Sequence, residues 1–272
     1  KKSMILDGHS LYTTDDYYSD IFLGSLNPDG HVKWLISIEA GRTYSYDIGV
    51  ALDDDKNIYL TGSRNGFIFV SKYDSTGVLI WNTDFDKKYN GYGNDIAIDQ
   101  FDNVFVIGGG GWNFFMAKLN FYGETVWAKN IQVNSSDGFN PNDIDVDALG
   151  NVYFAATFGV DSIKLDDIEI KQKGSTFWGK LDSNGKFIWA KAAKGTTTDT
   201  PQIALASDNH IYISGSFSER LSIENTVLNG PCCSGPKPYI AKYDLQGNFI
   251  WAKTTNGEGN TKEVKLDLDG NL

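Results

Sequence analysis

Residues 239–253 read YIAKYDLQGNFIWAK, and recognisable copies of this stretch recur along the chain. Each copy combines a short apolar run, a polar turn opened by Asp or Asn, a Gly three residues later and a Trp four residues after the Gly. The pairing occurs five times: Gly30 with Trp34, Gly77 with Trp81, Gly123 with Trp127, Gly185 with Trp189, and Gly247 with Trp251. Asp, Asn and Gly at these positions are typical of tight turns between antiparallel strands. The stretch therefore predicts a strand hairpin.

A second block alternates with the first and also reads as two strands around a polar turn. In residues 95–109, DIAIDQFDNVFVIGG, the large apolar Ile96 and Ile98 flank the small Ala97. A period of two indicates strands rather than helices. Together the two blocks give four strands in about 46 residues. Four short strands repeated at such a period are typical of a β-propeller blade.

The predicted fold is therefore an all-β propeller of four-stranded antiparallel blades. Within one domain spanning 1–272, complete blades are expected at about 47–82, 93–129, 142–191 and 201–253, with 1–36 and 262–272 as partial blades. Trp-to-Trp intervals of 47, 46, 62 and 62 residues predict a strand-like insert between the second and third strands of the last two blades. The partial blades could together close a five-bladed ring or belong to a longer array of six to eight blades. We favour the longer array.

Composition narrows the class of function. Aromatic residues make up 14% of the chain, and 29 Gly accompany only 6 Pro, a balance suited to pleated strands and tight turns. The net charge of -11 and the lack of a basic stripe argue against nucleic acid as a partner. No apolar stretch is long enough to span a membrane. No phosphate-binding loop, dinucleotide fingerprint or metal-ligand spacing occurs, so we expect no cofactor and no metal.

The repeat resembles the SBBP-type β-propeller repeats of exported and cell-surface bacterial proteins, found in the Bacteroidetes in particular. The residues that carry the resemblance are Lys242, Tyr243, Asp244, Gly247, Trp251, Asp147, Gly150, Asn151 and Tyr153. The Trp-ended hairpin is also similar to the tryptophan-docking repeat of quinoprotein-type propellers. These resemblances imply an extracellular or cell-surface location and a non-catalytic scaffold or recognition role. The implied partner is a protein or glycan at the cell surface, with the chain belonging to a larger surface protein or assembly.

The Trp residues differ in their predicted roles. Recurrence at one register favours packing between blades for Trp34, Trp81, Trp127, Trp189 and Trp251. Trp112 lies outside this register, in a glycine-rich loop, and is the candidate ligand-binding residue for a carbohydrate or protein. Cys232 and Cys233 are adjacent in a predicted surface insert. They could form a vicinal disulfide or remain two free thiols.

Acidic residues provide the alternative to a binding role. Asp143 and Asp145 lie near an inner strand, where paired carboxylates of a secreted carbohydrate-active enzyme, a glycoside hydrolase or lyase, would be expected. Asp145 aligns with Ala in three other blades, so a single blade supports this alternative. The Asp-rich turns superficially resemble Ca²⁺ loops but lack the Glu that ends such a loop, which favours solvated turns. We therefore predict no catalytic residues.

Overall fold

The computed structural model describes residues 3–12, 20–39, 48–110, 112–132, 138–172, 175–230, 235–262 and 264–267. Within these ranges the chain forms antiparallel β-sheet almost throughout, with one 3₁₀ turn at Lys87–Tyr89. Four sheets of propeller-blade type follow one another along the chain. The predicted all-β propeller of four-stranded antiparallel blades is thereby confirmed. In the described part of the chain no helix is long and apolar enough to cross a membrane.

The strands are numbered in chain order. Two pairs come first: β1 (Ser3–Leu6) with β2 (His9–Tyr12), then β3 (Ile21–Leu26) with β4 (Val32–Ile38). Blade 1 contains β5 (Gly49–Leu52), β6 (Ile58–Arg64), β7 (Phe67–Tyr73) and β8 (Leu79–Asp84). Blade 2 contains β9 (Tyr92–Ile98), β10 (Val104–Gly110), β11 (Asn113–Leu119) and β12 (Thr125–Gln132).

The later blades carry additional strands. Blade 3 contains β13 (Phe139–Val146), β14 (Val152–Phe158), the inserted hairpin β15 (Ser162–Leu165) and β16 (Ile168–Lys171), then β17 (Ser175–Leu181) and β18 (Phe187–Ala192). Blade 4 follows β19 (Lys194–Thr197) and contains β20 (Gln202–Ala206), β21 (His210–Ile223), β22 (Thr226–Asn229), β23 (Lys237–Asp244) and β24 (Phe249–Thr254). The long β21 pairs with β19, β20, β22 and β23.

The hydrophobic core lies between blades rather than inside any one of them. Tyr59 on the second strand of blade 1 packs into a cluster formed largely by blade 2, including Val104 and Phe115. Phe105 of blade 2 packs with blade 3, and Tyr153 of blade 3 packs with blade 4. The second strands are buried on both faces because each sheet is covered on both sides. Large aromatic side chains at one register therefore fill the spaces between neighbouring sheets.

The strand order gives each blade two different ends. In an antiparallel meander, the turn between the first and second strands and the turn between the third and fourth strands lie at the same end. We call this the turn end of the blade. The connection between the second and third strands lies at the opposite end, which we call the loop end. Side chains on turns and on loops therefore face opposite sides of the molecule.

The inserts cover the outermost strands. The hairpin β15–β16 leaves the loop end of blade 3 and runs along β18. At its tip, the Asp166 carboxylate accepts a hydrogen bond from the backbone N–H of Phe187, at the start of β18 (3.1 Å). In the same way β22 lies against β24, and β2 lies against β4. The inserts thus shield outer strands that would otherwise present an unpaired edge.

The segment that follows blade 4 returns to the inner side of the sheets. Residues 264–267 form no strand, and Val264, Lys265 and Leu266 line a cavity together with Val50 and Leu205 of two inner strands. Residues 263 and 268–272, also part of the predicted partial blade, lie outside the described residues.

Candidate functional site

The indole rings of the repeat lie at the contacts between successive sheets. The Nε1 atoms of Trp34, Trp81, Trp127 and Trp189 donate hydrogen bonds to the carbonyl oxygens of Ser75, Phe121, Ser183 and Leu245, at 3.0, 3.1, 3.1 and 3.3 Å. Each acceptor belongs to the hairpin turn of the next blade. Trp251, on the last described strand, instead contacts Tyr212 of its own blade edge to face at 6.1 Å.

The turn glycine gives each of these four indoles room. Gly185 has a φ of +81°, and a Cβ placed there would lie 2.8 Å from the Trp127 ring. Gly77, Gly123 and Gly247 meet Trp34, Trp81 and Trp189 in the same way. The spacing of Gly and Trp is therefore the sequence signature of a contact between blades. These four indoles therefore have a structural role, and their N–H groups are already hydrogen-bonded rather than available to a ligand.

Trp112 has a different environment. It lies between β10 and β11 at the loop end of blade 2, and 60% of its surface is exposed. The next residue, Asn113, is buried, and its carbonyl oxygen Oδ1 accepts a hydrogen bond from Gln132 Nε2 (3.1 Å). The loop is therefore anchored directly beside the exposed indole. An amphipathic ring presented on an anchored loop is suited to contact a partner.

Three carboxyl groups connect the inner strands of blades 2, 3 and 4. Asp95 Oδ2 accepts a hydrogen bond from the backbone N–H of Ile144 in the next blade (3.1 Å). Asp143 Oδ2 accepts from Ile203 N (2.8 Å), and Asp145 Oδ2 accepts from Leu205 N (2.8 Å). All three line a cavity of about 420 Å³ between the inner strands. Each carboxyl thus joins its inner strand to the inner strand of the next blade by a hydrogen bond from a side chain to the backbone.

Burial determines the protonation of these groups. Burial, followed by the hydrogen bond and negative charge of Asp95, raises the pKa of Asp143, and burial likewise raises the pKa of Asp95. Two carboxyl groups in hydrogen-bond contact retain a proton between them, because both cannot ionise cheaply in a poorly solvated site. Burial also raises the pKa of Asp145 to about 6. Raised pKa values are compatible with acid catalysis, but each carboxyl already holds a backbone N–H.

The Asp-rich turns and the two cysteines are the remaining predicted sites. Turn carboxylates bind within their own turns: Asp99 Oδ1 accepts hydrogen bonds from the backbone N–H groups of Phe101 (2.9 Å) and Asn103 (3.0 Å). Among the described residues, no three His, Cys, Asp or Glu side chains are grouped so that they could hold a metal ion. Cys232 and Cys233 lie outside the described residues, so their redox state stays a prediction.

Sequence reasoning identified Asp143 and Asp145 but missed Asp95. The available signal was the dipeptide Asp-Ile, which lies on the inner strand at Asp95–Ile96 and again at Asp143–Ile144. Blade 1 has Gly49 at this position, where a Cβ would lie 2.7 Å from the Asp95 backbone. The inner strands of neighbouring blades therefore approach closely at this position. Asp at the position forms a hydrogen bond to the next strand, whereas Gly allows the next backbone to come closer.

Comparison with known proteins gives partial matches. No protein-family model matches the chain. Over 103 residues, 36% of its length, the chain is 29% identical to an uncharacterized WD repeat-containing protein of Acanthamoeba polyphaga mimivirus, of which the match covers 7%. It is also similar to Drosophila Plexin A, solved in complex with Semaphorin 1b (TM-score 0.47, 8% identity, 83% of this chain and 48% of that one). A mutant of Synechocystis apocarotenoid oxygenase gives a TM-score of 0.45 at 11% identity, covering 85% of this chain and 54% of that one.

Proposed function

We propose that this chain is a non-catalytic propeller that acts as a scaffold for protein recognition. The observation that carries the proposal is the use of the inner carboxyl groups. Asp95, Asp143 and Asp145 each accept a backbone N–H from the adjoining blade, so these acids serve to join sheets. The repeated indoles are likewise used between sheets, whereas Trp112 is exposed on an anchored loop. Trp112 is therefore the first contact that we assign to a partner.

The finer parts of the proposal concern location and ligand class. We propose that the chain acts outside the cell or at its surface, in a larger surface protein or assembly. Support comes from the resemblance of its repeats to SBBP-type units. Fractionation of cells that express the complete native gene tests the location, and recovery of the protein only from the cytoplasm would contradict it. A glycan remains a second class of ligand, since an exposed indole can stack on a sugar ring as well as on a protein side chain.

A binding experiment tests the recognition role. Labelled wild-type protein and the Trp112→Ala variant are compared for binding to arrays of secreted proteins and of glycans. We expect the variant to bind any ligand of the wild type at least tenfold more weakly, as is typical of the loss of a central aromatic contact. Trp178→Phe serves as a control, because Trp178 is fully buried and its loss should affect stability rather than binding. Equal binding by Trp112→Ala would remove Trp112 from the site.

The rival function, carbohydrate hydrolysis or lysis, is favoured by one observation. Asp145, with its pKa raised to about 6, lines the inner cavity next to the Asp95 and Asp143 pair. If the chain were such an enzyme, a polysaccharide panel would yield products with the wild type and none with the Asp143→Asn and Asp145→Asn variants. We expect no turnover from any of the three proteins. Product formed only by the wild type would overturn the non-catalytic proposal.

A further inference from the structure

A group of apolar side chains is exposed at the turn end, on the opposite side of the molecule from Trp112. It consists of Phe101, Phe121 and Tyr122 of blade 2 and Leu149 of blade 3, which are 66%, 46%, 74% and 79% exposed. We call these four residues the turn-end patch. All four lie on turns at the same end of two adjacent blades, and groups of exposed large apolar residues are typical of interaction sites.

The turns do not themselves require these apolar residues. The position of Phe101 is occupied by Asp55 in blade 1 and by Asp208 in blade 4. The position of Tyr122 is occupied by Thr76, Asn184 and Gln246 in the other three blades. The same turn geometry is thus built elsewhere with polar side chains, which leaves Phe101 and Tyr122 without a local structural reason.

Contacts between blades hold the patch in place. The Phe121 carbonyl oxygen accepts a hydrogen bond from Trp81 Nε1 (3.1 Å), and its ring lies 5.3 Å from that of Tyr122. Gln100 Nε2 donates to the Ala148 carbonyl oxygen (2.8 Å), which joins the turn of Phe101 to the turn of Leu149. The turns that carry the patch are therefore anchored, so binding would not have to order their backbone.

The surroundings of the patch are acidic. Asp54 and Asp55 are exposed on the neighbouring turn of blade 1. Burial, followed by the negative charges of Asp53, Asp55 and Asp54, raises the pKa of Asp102 on the turn of Phe101, whereas the charge of Lys72 lowers it. Lys72 of β7 is buried and paired with Asp53 (3.3 Å). Lys56 lies on the blade 1 turn, and Lys118 Nζ lies 3.9 Å from the Cβ position of Gly150, on the turn of Leu149. The carboxylates therefore outnumber the unpaired cations beside the aromatic rings.

We propose that the turn-end patch binds a cationic segment of a protein partner, in which Arg or Lys alternates with aromatic or aliphatic side chains. The apolar side chains of the segment would cover Phe101, Tyr122 and Leu149, and its cations would reach Asp54, Asp55 and Asp102. Cations also bind favourably over aromatic faces, as Lys72 already does 4.3 Å from the Phe121 ring centroid. The inference rests on the proposed recognition role. It adds a class of partner and a second binding surface, at the turn end, to that role.

Three labelled peptides probe the patch by fluorescence anisotropy. One alternates Arg with Trp, the second replaces Arg with Glu, and the third replaces Trp with Gly. We expect the Arg–Trp peptide to bind, the Arg–Gly peptide to bind at least tenfold more weakly, and the Glu–Trp peptide not to bind. The affinity of the Arg–Trp peptide should fall as NaCl rises from about 10 to about 150 mM, where the Debye length shortens from about 30 to 8 Å.

Matched variants locate the binding. Phe101→Ser with Tyr122→Thr introduces side chains of the kind that sister turns carry, so folding should be preserved, and the double variant should bind the Arg–Trp peptide at least tenfold more weakly. Asp54→Asn with Asp55→Asn should reduce both the affinity and its dependence on salt. Tyr12→Ala removes a similarly exposed ring (61%) from β2, outside both proposed sites, and should leave peptide binding unchanged.

The outcomes distinguish failure of the turn-end site from failure of the general recognition role. If Phe101→Ser with Tyr122→Thr binds the peptide as well as the wild type does, the turn-end site is wrong. Loss of array binding by Trp112→Ala in that case would still support recognition at the loop end. If sedimentation shows a dimer that only the double variant abolishes, and no peptide binds, the patch serves a second copy of this chain and the proposal is overturned.

Discussion

Asp143 is the residue at which structure and protonation are most closely linked. Its carboxyl group accepts a backbone N–H from blade 4, contacts Asp95 and has a raised pKa because of burial. A raised pKa means that the folded state keeps a proton that the unfolded chain releases above its ordinary pKa near 3.8. The stabilisation from this proton is complete below that value and is lost as pH rises toward the folded-state pKa.

The Asp143→Asn variant tests this linkage. We expect the free energy of unfolding of the wild type to fall with pH between about 5 and 8, by up to about 1.4 kcal/mol per unit for one proton. Asn keeps an oxygen for the Ile203 N–H without the charge, so the variant should show a flatter profile and be more stable than the wild type at pH 8. Urea denaturation at several pH values measures both. Parallel profiles would show that Asp143 is ionised in the folded state.

The hairpin turn and the indole of the preceding blade form one structural element. Two glycines with the same backbone conformation separate its contributions: Gly185, at φ +81°, is covered by Trp127, whereas no described atom lies within 4 Å of a Cβ built at Gly30, at φ +85°. Gly30→Ala should cost about 1–2 kcal/mol of unfolding free energy from the left-handed conformation alone. Gly185→Ala should cost clearly more, because the added methyl group displaces the indole. Chemical denaturation compares the two, and equal losses would mean that the indole contact adds little.

The inserted hairpin β15–β16 is an element that covers the edge of blade 3. Leu165 is fully buried in it, within the core cluster that includes Phe187. Leu165→Ala should therefore cost about 2–5 kcal/mol of unfolding free energy. Leu149→Ala is the control, since that side chain is 79% exposed and its loss should change stability by about 0.5 kcal/mol or less. Similar losses at the two positions would show that the hairpin is not part of the cooperative core.

At the scale of the whole molecule, the charge of -11 acts on every blade. Like charges repel within a compact protein, and salt screens this repulsion. We expect the Tm at pH 7.5 to rise by a few degrees when NaCl increases from about 10 to about 150 mM. A falling Tm would mean that ion pairs between blades, such as Lys129 with Asp166 (2.8 Å), outweigh the overall repulsion.

The all-β architecture of four-stranded blades was accessible from the sequence, whereas the candidate sites were accessible only in part. The Gly–Trp interval repeats because every joint between blades needs the same turn and the same ring, so periodicity alone revealed the architecture. Asp95 finds its partner 49 residues away, and no local pattern encodes such a bond. Phe101 and Tyr122 lie in predicted turns, but only the structure shows how much of each ring is exposed. The inserts were predicted as strands, but only tertiary contacts show that they run along β18 and β24.

The joint between Trp127 and the turn of Gly185 also bears on how such a chain can lengthen in evolution. Blades 1, 2 and 3 each supply an indole to the following blade and a turn to the preceding indole. Duplication of one repeat would therefore introduce both halves of the new contact in a single genetic event. Growth by whole repeats needs no compensating mutation at the boundary, while the exposed turn residues of each new copy are free to diverge toward a different partner.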